Sequence, residues 1–335
     1  MAYDKVVDSA SLDSKLTQVA DAIRTKGNTS ADLQFPSGFI SAIQAIQTGT
    51  ELKIVVSVTS GATVTATKGS LSVSGTSING TCTLTVPEAG VWSVKATLNG
   101  QTSNTASVSV KDSYALTLNF LKGNFADNDW ASIIAACHSG SVPSTWVVGN
   151  SKIMTINGTS YQVDIIGKNH DTYTAGGKAP LTFQLHDCYA NTKVMNSSNT
   201  NSGGWKNSAM RTTHLPAILA LMPTEVQNGI REVSKKASVG GASSTIETVS
   251  DKLFLLSEVE IFGSTTYSAA GEGTQYDYYK AGNSKVKKRS GSADTWWELS
   301  PVATSYTGFC MVNRNGYADY NSASDDRAVA FGFCF

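Results

Sequence analysis

The sequence GFCMVNRNGYADYNSASDDRAVAFGFCF, residues 308–335, decides how the end of the chain folds. Residues 309–312 are apolar, residues 313–327 are polar, and residues 328–335 are apolar again. The polar run contains no Val, Ile, Leu, Met, Phe, Trp or Cys. This pattern predicts two buried strands that flank an exposed loop or exposed strand edges.

The polar run has the composition of an antibody combining site. Tyrosine supplies rigid contact area, Asn, Ser and Asp supply adaptable hydrogen bonds, and Arg can act as an anchor. An ordinary solvated loop has a similar composition, so the run by itself leaves both interpretations open.

The N-terminal segment, residues 1–50, is predicted to contain two short helices. Apolar residues recur every three or four positions: Leu12, Leu16, Val19 and Ile23 in the first helix, and Phe39, Ile43 and Ile46 in the second. Two helices of this length cannot bury a core of their own. We therefore expect the segment to dock onto a partner or to oligomerise with copies of itself.

Residues 51–112 change to short alternating strands with frequent turns. Turn signals such as Asn79-Gly80 and Asn99-Gly100 recur every 8–12 residues in this stretch. The pattern predicts a small β-sandwich. It resembles the immunoglobulin-like and transthyretin-like modules of phage tail and bacterial surface proteins, which implies a spacer.

Residues 113–335 are predicted to form a larger domain of mixed helices and short strands. A helix is expected at 130–137, a hairpin at Asn157-Gly158, a strand at 181–185 and a partly helical stretch at 205–221 that breaks at Pro216. The segment 253–261 is apolar enough for a strand or a buried crossing segment. The predicted fold class of the whole chain is α+β.

Composition excludes several functional classes. The chain has 26 basic and 26 acidic residues, and this balance argues against a nucleic-acid binder. Its start has no apolar signal core, and no stretch approaches 18 apolar residues, so we expect no membrane insertion. The five cysteines form no CxxC pair and are predicted to be free, buried thiols made in a reducing cytoplasm.

Several motifs match a known family. They are Ile165-Ile166-Gly167-Lys168-Asn169-His170-Asp171, Gly203-Gly204-Trp205, Trp296-Trp297-Glu298-Leu299-Ser300-Pro301, Gly308-Phe309-Cys310 and Val329-Ala330-Phe331-Gly332-Phe333-Cys334. Over about residues 113–335 the chain resembles the C-type-lectin-fold variable proteins that diversity-generating retroelements diversify in phages and bacteria, of the major tropism determinant type. The resemblance implies a C-type-lectin-like ligand-binding domain with a variable region at about 296–335.

The resemblance also implies which residues contact a ligand. Adenine-directed mutation of Asn codons can produce Tyr, Asp, Ser and Arg but not Lys, Glu, Gln, Met or Trp, and the polar run contains none of these five. The expected ligand-facing residues are Tyr306, Asn313, Arg314, Tyr317, Asp319, Tyr320, Ser322, Ser324, Asp325, Asp326 and Arg327, with Ser305 as an extension. Gly316, Ala318 and Ala323 are assigned to the fixed frame. Relatives carry another residue at the position of Glu298, so this residue is assigned either to the frame or to the variable site.

Other chemistry has weaker support in the sequence. Adjacent carboxylates at Asp325-Asp326 do not suffice for a calcium site, so no metal or cofactor is predicted. Cys310 and Cys334 are the only candidate catalytic pair, and their apolar surroundings suit buried thiols, so no enzyme is predicted. The Trp296-Trp297 pair is expected to be half buried and half exposed. Residues 285–289 are expected to be a solvated basic loop, with binding of an anionic surface polymer as the alternative interpretation.

The resulting hypothesis is a phage tail receptor-binding protein located in the virion. Its expected partners are a host cell-surface receptor, protein or glycan, and other phage tail proteins, and it is expected to be a homotrimer. The alternatives are a structural tail or baseplate protein without host contact, and a variable protein displayed on a bacterial surface.

Overall fold

The computed structural model describes residues 9–27, 30–45 and 51–335. The fold is α+β, with several small sheets and mostly short helices, as the sequence predicts. The chain divides into two compact units. The first contains the described residues up to Val94 together with Ser107–Thr117, and the second contains Lys95–Ala106 and Leu118–Phe335.

Two helices open the first unit, α1 at Ser9–Gly27 and α2 at Ser37–Ala45. Ala20, Ile23 and Phe39 form a small buried cluster between them. The predicted apolar face of α1 is wrong in part, because Leu12 and Val19 are exposed while Ala20 is buried. The predicted contribution of residue 46 lies outside the described residues.

Eight strands follow, and seven of them lie in the segment 51–112, which was predicted to form short strands. They are β1 Lys53–Ser57, β2 Thr63–Lys68, β3 Leu71–Thr76, β4 Thr81–Thr85, β5 Gly90–Leu98, β6 Gln101–Thr102, β7 Ala106–Val110 and β8 Ser113–Thr117. β1 lies between β4, which is antiparallel to it, and β8, which is parallel to it. Alternate residues such as Ile54, Val56 and Leu84 are buried, as expected for strands with one covered face. The sequence analysis did not predict β8.

Twelve further strands follow β8, all of them in the second unit. They are β9 Ser151–Ile156, β10 Thr159–Lys168, β11 Leu181–Leu185, β12 Val233–Ser238, β13 Ile246–Asp251, β14 Leu253–Phe254, β15 Lys287–Arg289, β16 Ser292–Asp294, β17 Trp296–Pro301, β18 Gly308–Val312, β19 Ala318–Ser322 and β20 Gly332–Cys334. A five-stranded sheet has the order β14-β20-β11-β10-β9, and a three-stranded sheet has the order β17-β18-β19. The C-terminal strand therefore lies inside this five-stranded sheet, between β14 and β11.

Six helices of the second unit surround these sheets. They are α3 Trp130–His138, α4 Gly204–Asn207, α5 Leu215–Leu219, α6 Thr224–Gly229, α7 Glu258–Phe262 and α8 Asp277–Lys280. The predicted break at Pro216 is wrong, because a π-helical turn at Met210–His214 leads directly into α5. Pro216 lies in the first turn of α5, where its missing N–H costs no helical hydrogen bond. The segment 253–261 contains both a short strand and the start of a helix.

A buried cluster of charged and hydroxyl groups joins four elements of the second unit. Lys235 Nζ lies 2.5 Å from Glu260 Oε1 and 3.2 Å from Asp171 Oδ1, and it donates to Tyr276 Oη at 3.0 Å. Asp171 Oδ2 also accepts from Thr182 Oγ1 at 2.6 Å. Burial opposes the lysine charge, but the carboxylates of Asp171 and Glu260 raise the pKa of Lys235 above its usual value.

None of the described helices is long and apolar enough to span a membrane.

Candidate functional site

The polar run lies on a frame that is almost fully buried. All six residues of β17 and all five residues of β18 are buried, and so are residues 328–335. Between them, β19 is the edge strand of its sheet, and its residues are exposed or half-buried. The predicted arrangement of two buried strands around exposed strand edges is therefore confirmed for the fold.

The tryptophan pair at the start of β17 belongs to this frame. Trp296 and Trp297 are both fully buried, so the predicted half-exposed pair is wrong. Neighbours in a strand face opposite sides, and here protein covers both sides of β17. Trp296 Nε1 donates to the carbonyl of Lys285 and Trp297 Nε1 to that of Lys193, at 3.0 and 2.8 Å.

The turn between β18 and β19 is built by Asn313. Its Oδ1 accepts from the backbone N–H groups of Asn315 at 3.0 Å and Tyr317 at 3.1 Å. Gly316 has a φ of 81°, a conformation that favours glycine, and this agrees with its assignment to the frame. Asn313 was predicted as a ligand contact, but its side-chain oxygen is used inside the turn.

Three exposed tyrosines stand on this part of the surface. Tyr306 and Tyr317 are each 68% exposed and Tyr320 is 50% exposed. The ring of Tyr320 lies against that of Tyr267, with centroids 5.0 Å apart. β19 has five residues, so it places the turn that carries Tyr317 about 16 Å from its other end. The tyrosines therefore span a broad face rather than a single pocket.

The loop that carries Tyr306 is held by Asn201, a residue that the sequence analysis missed. Asn201 is fully buried, and its Nδ2 donates to the carbonyls of Ser305 and Gly308, both at 2.8 Å. Its backbone N–H donates to the carbonyl of Tyr306 at 2.8 Å. Because the loop and Asn201 lie about a hundred positions apart, no local pattern marks this role.

Other predicted residues differ in how free their side chains are. Arg327 bonds to its neighbours, since Nη1 donates to the carbonyl of Asp326 at 2.7 Å and Nη2 lies 3.3 Å from Asp325 Oδ2. Asp319 Oδ1 accepts from the backbone N–H of Tyr320. Ser324 and Asp326 are exposed, and Ser322 is half-buried. Ala323 is buried, as expected for a frame residue.

A polar cleft of about 560 Å³ lies beside the run. It brings together four of the predicted ligand-facing residues with six residues that were not predicted. The lining residues are Thr192, Arg289, Asp294, Thr295, Met311, Asn313, Arg314, Asn315, Asp326 and Arg327. Backbone bonds in both directions between Lys193 and Arg327, at 2.9 and 3.2 Å, hold the Thr192 side against the run.

The basic segment 285–289 is not the solvated loop that was predicted. Lys287 is buried and its Nζ donates to the carbonyls of Leu185 and His186, at 2.5 and 2.8 Å. Burial lowers the pKa of Lys287 to about 8. The Nε of Arg289 also has a partner within the protein, because it lies 2.7 Å from Asp294 Oδ2.

Buried carboxyl groups lie beneath the face. Glu298 is fully buried, and neither of its side-chain oxygens has a hydrogen-bond partner within the described part of the chain, so Glu298 belongs to the frame. Burial, together with the charges of Glu258 and Glu272, raises the pKa of Glu298 well above its usual value. Burial also raises the pKa of Glu272 to about 7.

Within residues 9–27, 30–45 and 51–335, no group of three His, Cys, Asp or Glu side chains is placed to hold a metal ion.

These carboxyl groups predict a pH dependence of stability. A group whose pKa is raised on folding stabilises the protein fully below its unfolded pKa and loses that contribution as pH rises through the folded pKa. We expect the free energy of unfolding, measured by urea denaturation, to fall between about pH 5 and pH 8, and Glu298→Gln to flatten this fall. The exposed Glu225→Gln serves as the matched control. An unchanged slope in Glu298→Gln would contradict a neutral buried carboxyl.

The two candidate catalytic thiols are fully buried, and that of Cys334 lies 3.5 Å from Thr182 Oγ1, so the predicted apolar surroundings are wrong for this cysteine. Cys310 and Cys334 have no exposed surface, and burial raises the pKa of each well above its usual value. Since the thiolate is the reactive form of cysteine, these surroundings suppress nucleophilic chemistry. Each of the five cysteines is a free, buried thiol.

One family model matches part of the second unit. Residues 181–331 are similar to a domain of unknown function, DUF6273. This region contains the whole cleft, the three tyrosines and the frame strands β17 and β18. A solved structure, a DUF4876 family protein from Bacteroides thetaiotaomicron, aligns with 11% identity over 78% of this chain and 66% of that chain. Its TM-score is 0.17, too low to bear on the fold. No curated protein matches the chain.

Proposed function

We propose that this chain is a phage tail receptor-binding protein, carried on the virion, that recognises the host cell surface through the exposed face of residues 305–327. One observation carries the proposal. The polar run 313–327 forms a turn and an edge strand that carry the exposed Tyr317 and Tyr320, and the exposed Tyr306 lies in the loop before β18. Every residue of the two preceding strands is buried. Such a surface allows its side chains to change without loss of the core.

The finer architecture is part of the same proposal. Strands such as β1, β4 and β5 support an immunoglobulin-like spacer, because alternate side chains along them are buried and the turns are short. The second unit supports a C-type-lectin-like domain, because its last strand pairs inside a five-stranded sheet, between β14 and β11, directly after the exposed run.

Diversification by adenine-directed mutation is supported by the division between frame and face. Arg314, Tyr317 and Tyr320 are exposed, and their types belong to the set that such mutation can produce. Trp296 and Trp297, whose types lie outside that set, are buried. The exposed side chains of this chain are then one of many possible combinations, and this combination was selected for binding to one receptor.

The N-terminal helices support attachment to other tail proteins and assembly as a homotrimer. Their exposed apolar residues are Leu12, Val19, Phe35, Ile40 and Ile43. Three copies of one weak site on a single particle would raise the overall affinity for a cell surface without new contacts.

A structural tail protein is the second candidate. The free edge of β19 favours it, since an unpaired strand edge can pair with a neighbouring subunit. A variable protein displayed on a bacterial surface would use the same face. Burial of Cys310 and Cys334 supports a binding role for the chain over catalysis.

Binding of the purified chain to intact bacteria separates these candidates. We expect the fluorescently labelled full chain to bind a subset of strains in a panel, to saturate, and to be displaced by unlabelled chain. A structural protein would bind all strains equally weakly or none.

Sequencing of the flanking DNA is a separate test. We expect a near-copy of the last hundred or so bases, differing mainly at adenines, next to a reverse transcriptase gene.

A further inference from the structure

The cleft beside the polar run has two walls of different origin. The residues of one wall precede the proposed variable region of about 296–335 in the sequence. The residues of the other wall belong to that region. The first wall is formed by Thr192, Arg289, Asp294 and Thr295, and the second by Met311, Asn313, Arg314, Asn315, Asp326 and Arg327. The first wall would therefore stay constant while the second changes.

We infer that this cleft binds an oxyanion, the carboxylate or phosphate group of a surface polysaccharide, with Arg289 as its main contact. The inference rests on the proposed function for the source of the ligand. It gives the receptor a chemical class, an acidic glycan polymer, that the tyrosine face by itself does not specify.

The constant wall presents an oriented arginine. Arg289 Nε lies 2.7 Å from Asp294 Oδ2, and this bond fixes the direction of the guanidinium plane. Within the described residues its hydrogen bonding uses Nε alone, so both Nη groups remain able to donate. The side chain is 34% exposed, and a ligand in the cleft can reach it.

The carboxylate of Asp294 is already occupied and does not compete with a ligand. Its Oδ2 accepts a hydrogen bond from Arg289 Nε, and its Oδ1 accepts one from the backbone N–H of Thr295 at 2.9 Å. Its side chain is only 14% exposed. Asp294 therefore acts as a positioning residue for Arg289 rather than as an acceptor toward the cleft.

Donors exceed acceptors in the rest of the cleft. Arg314 is 71% exposed, and its Nη2 lies 3.9 Å from Asp294 Oδ1, beyond hydrogen-bond distance. Arg327 uses both Nη groups on Asp325 and Asp326 but not its Nε. Three guanidinium groups thus line the cleft with Asp326 as the remaining exposed carboxylate.

This arrangement matches an oxyanion in shape and size. A guanidinium group donates two parallel hydrogen bonds to a carboxylate or phosphate, a geometry that an ammonium group does not provide. A cleft of about 560 Å³ falls in the range of small-ligand sites, and its polar lining suits a hydrophilic sugar unit more than an apolar ligand. The constant Arg289 would anchor the charge, and the variable wall would select the sugar around it.

The test uses ligand-observed NMR titration of the full chain with D-glucuronate, inorganic phosphate and D-glucose. We expect glucuronate or phosphate to bind and glucose not to bind; glucuronate alone would indicate a uronic-acid polymer, and phosphate alone a phosphate polymer. Arg289→Gln should weaken anion binding by about tenfold or more, since it removes a charge-assisted pair. Arg231→Gln, at an exposed arginine outside the cleft, should leave it unchanged.

Three results would overturn the inference: no binding of either anion, equal binding of glucose, or an unchanged anion affinity in folded Arg289→Gln. Thermal melting checks that this variant folds. If it does not, Arg314→Gln replaces a 71% exposed side chain and should still weaken anion binding. Cell binding measured on the same preparations separates the two proposals, because anion binding without cell binding would contradict the receptor function alone.

Discussion

Replacement of Tyr306, Tyr317 and Tyr320 by serine is expected to reduce binding to intact host cells by more than about 100-fold. Truncation of a central aromatic contact typically costs about 2 kcal/mol or more, and each 1.4 kcal/mol is a tenfold change in affinity. The three rings are between 50% and 68% exposed, so their removal leaves the core intact. Saturation binding of the labelled chain to a binding strain measures the effect.

A matched control removes a tyrosine from another surface. Tyr114 is 39% exposed and lies on β8 of the first unit. Tyr114→Ser should leave cell binding unchanged, and both proteins should melt within a few degrees of the original chain. If the triple variant keeps its full affinity, the tyrosine face does not contact the receptor.

Replacement of Lys235 by methionine is expected to destabilise the second unit by about 3–5 kcal/mol at neutral pH. The change leaves the carboxylates of Asp171 and Glu260 buried together without their shared cation. Both have 5% or less of their side chain exposed, so water cannot replace the lysine. Urea denaturation monitored by tryptophan fluorescence gives the free energy of unfolding.

Lys236 provides the control for this experiment. It follows Lys235 directly on β12 but is exposed, because neighbours in a strand face opposite sides. Lys236→Met should change the free energy of unfolding by less than about 0.5 kcal/mol. A loss of under about 1 kcal/mol in Lys235→Met would show that the buried cluster does not hold the unit together.

Local contrast between apolar and polar residues explains what the sequence could predict. The strands around residues 313–327 were predictable because the change in polarity at each end of the run is abrupt. The hairpin at Asn157-Gly158 was predictable because turn chemistry depends on adjacent residues. Resemblance supplied the list of exposed candidates.

Long-range contacts explain what the sequence could not predict. One side of the cleft is placed there because Lys193 pairs with Arg327, 134 positions away along the chain, and this pairing brings Thr192 to the polar run. Trp296 and Trp297 are both buried because distant segments cover both faces of β17. Lys235 and Lys236 look alike in the sequence, and only the position of Asp171 and Glu260 makes one of them a buried ion partner.

A substitution library across residues 296–335, sorted both for protease resistance and for cell binding, tests whether the exposed residues can change while the buried ones cannot. We expect exposed positions such as Arg314, Tyr317 and Tyr320 to accept most residues without loss of folding, while many of these changes abolish or redirect binding. We also expect Trp296 and Trp297 to accept almost none. Two results would contradict the division into a changeable face and a fixed frame. Changes at the exposed positions could leave binding to the original strain unaltered, or they could unfold the chain as often as changes in the frame.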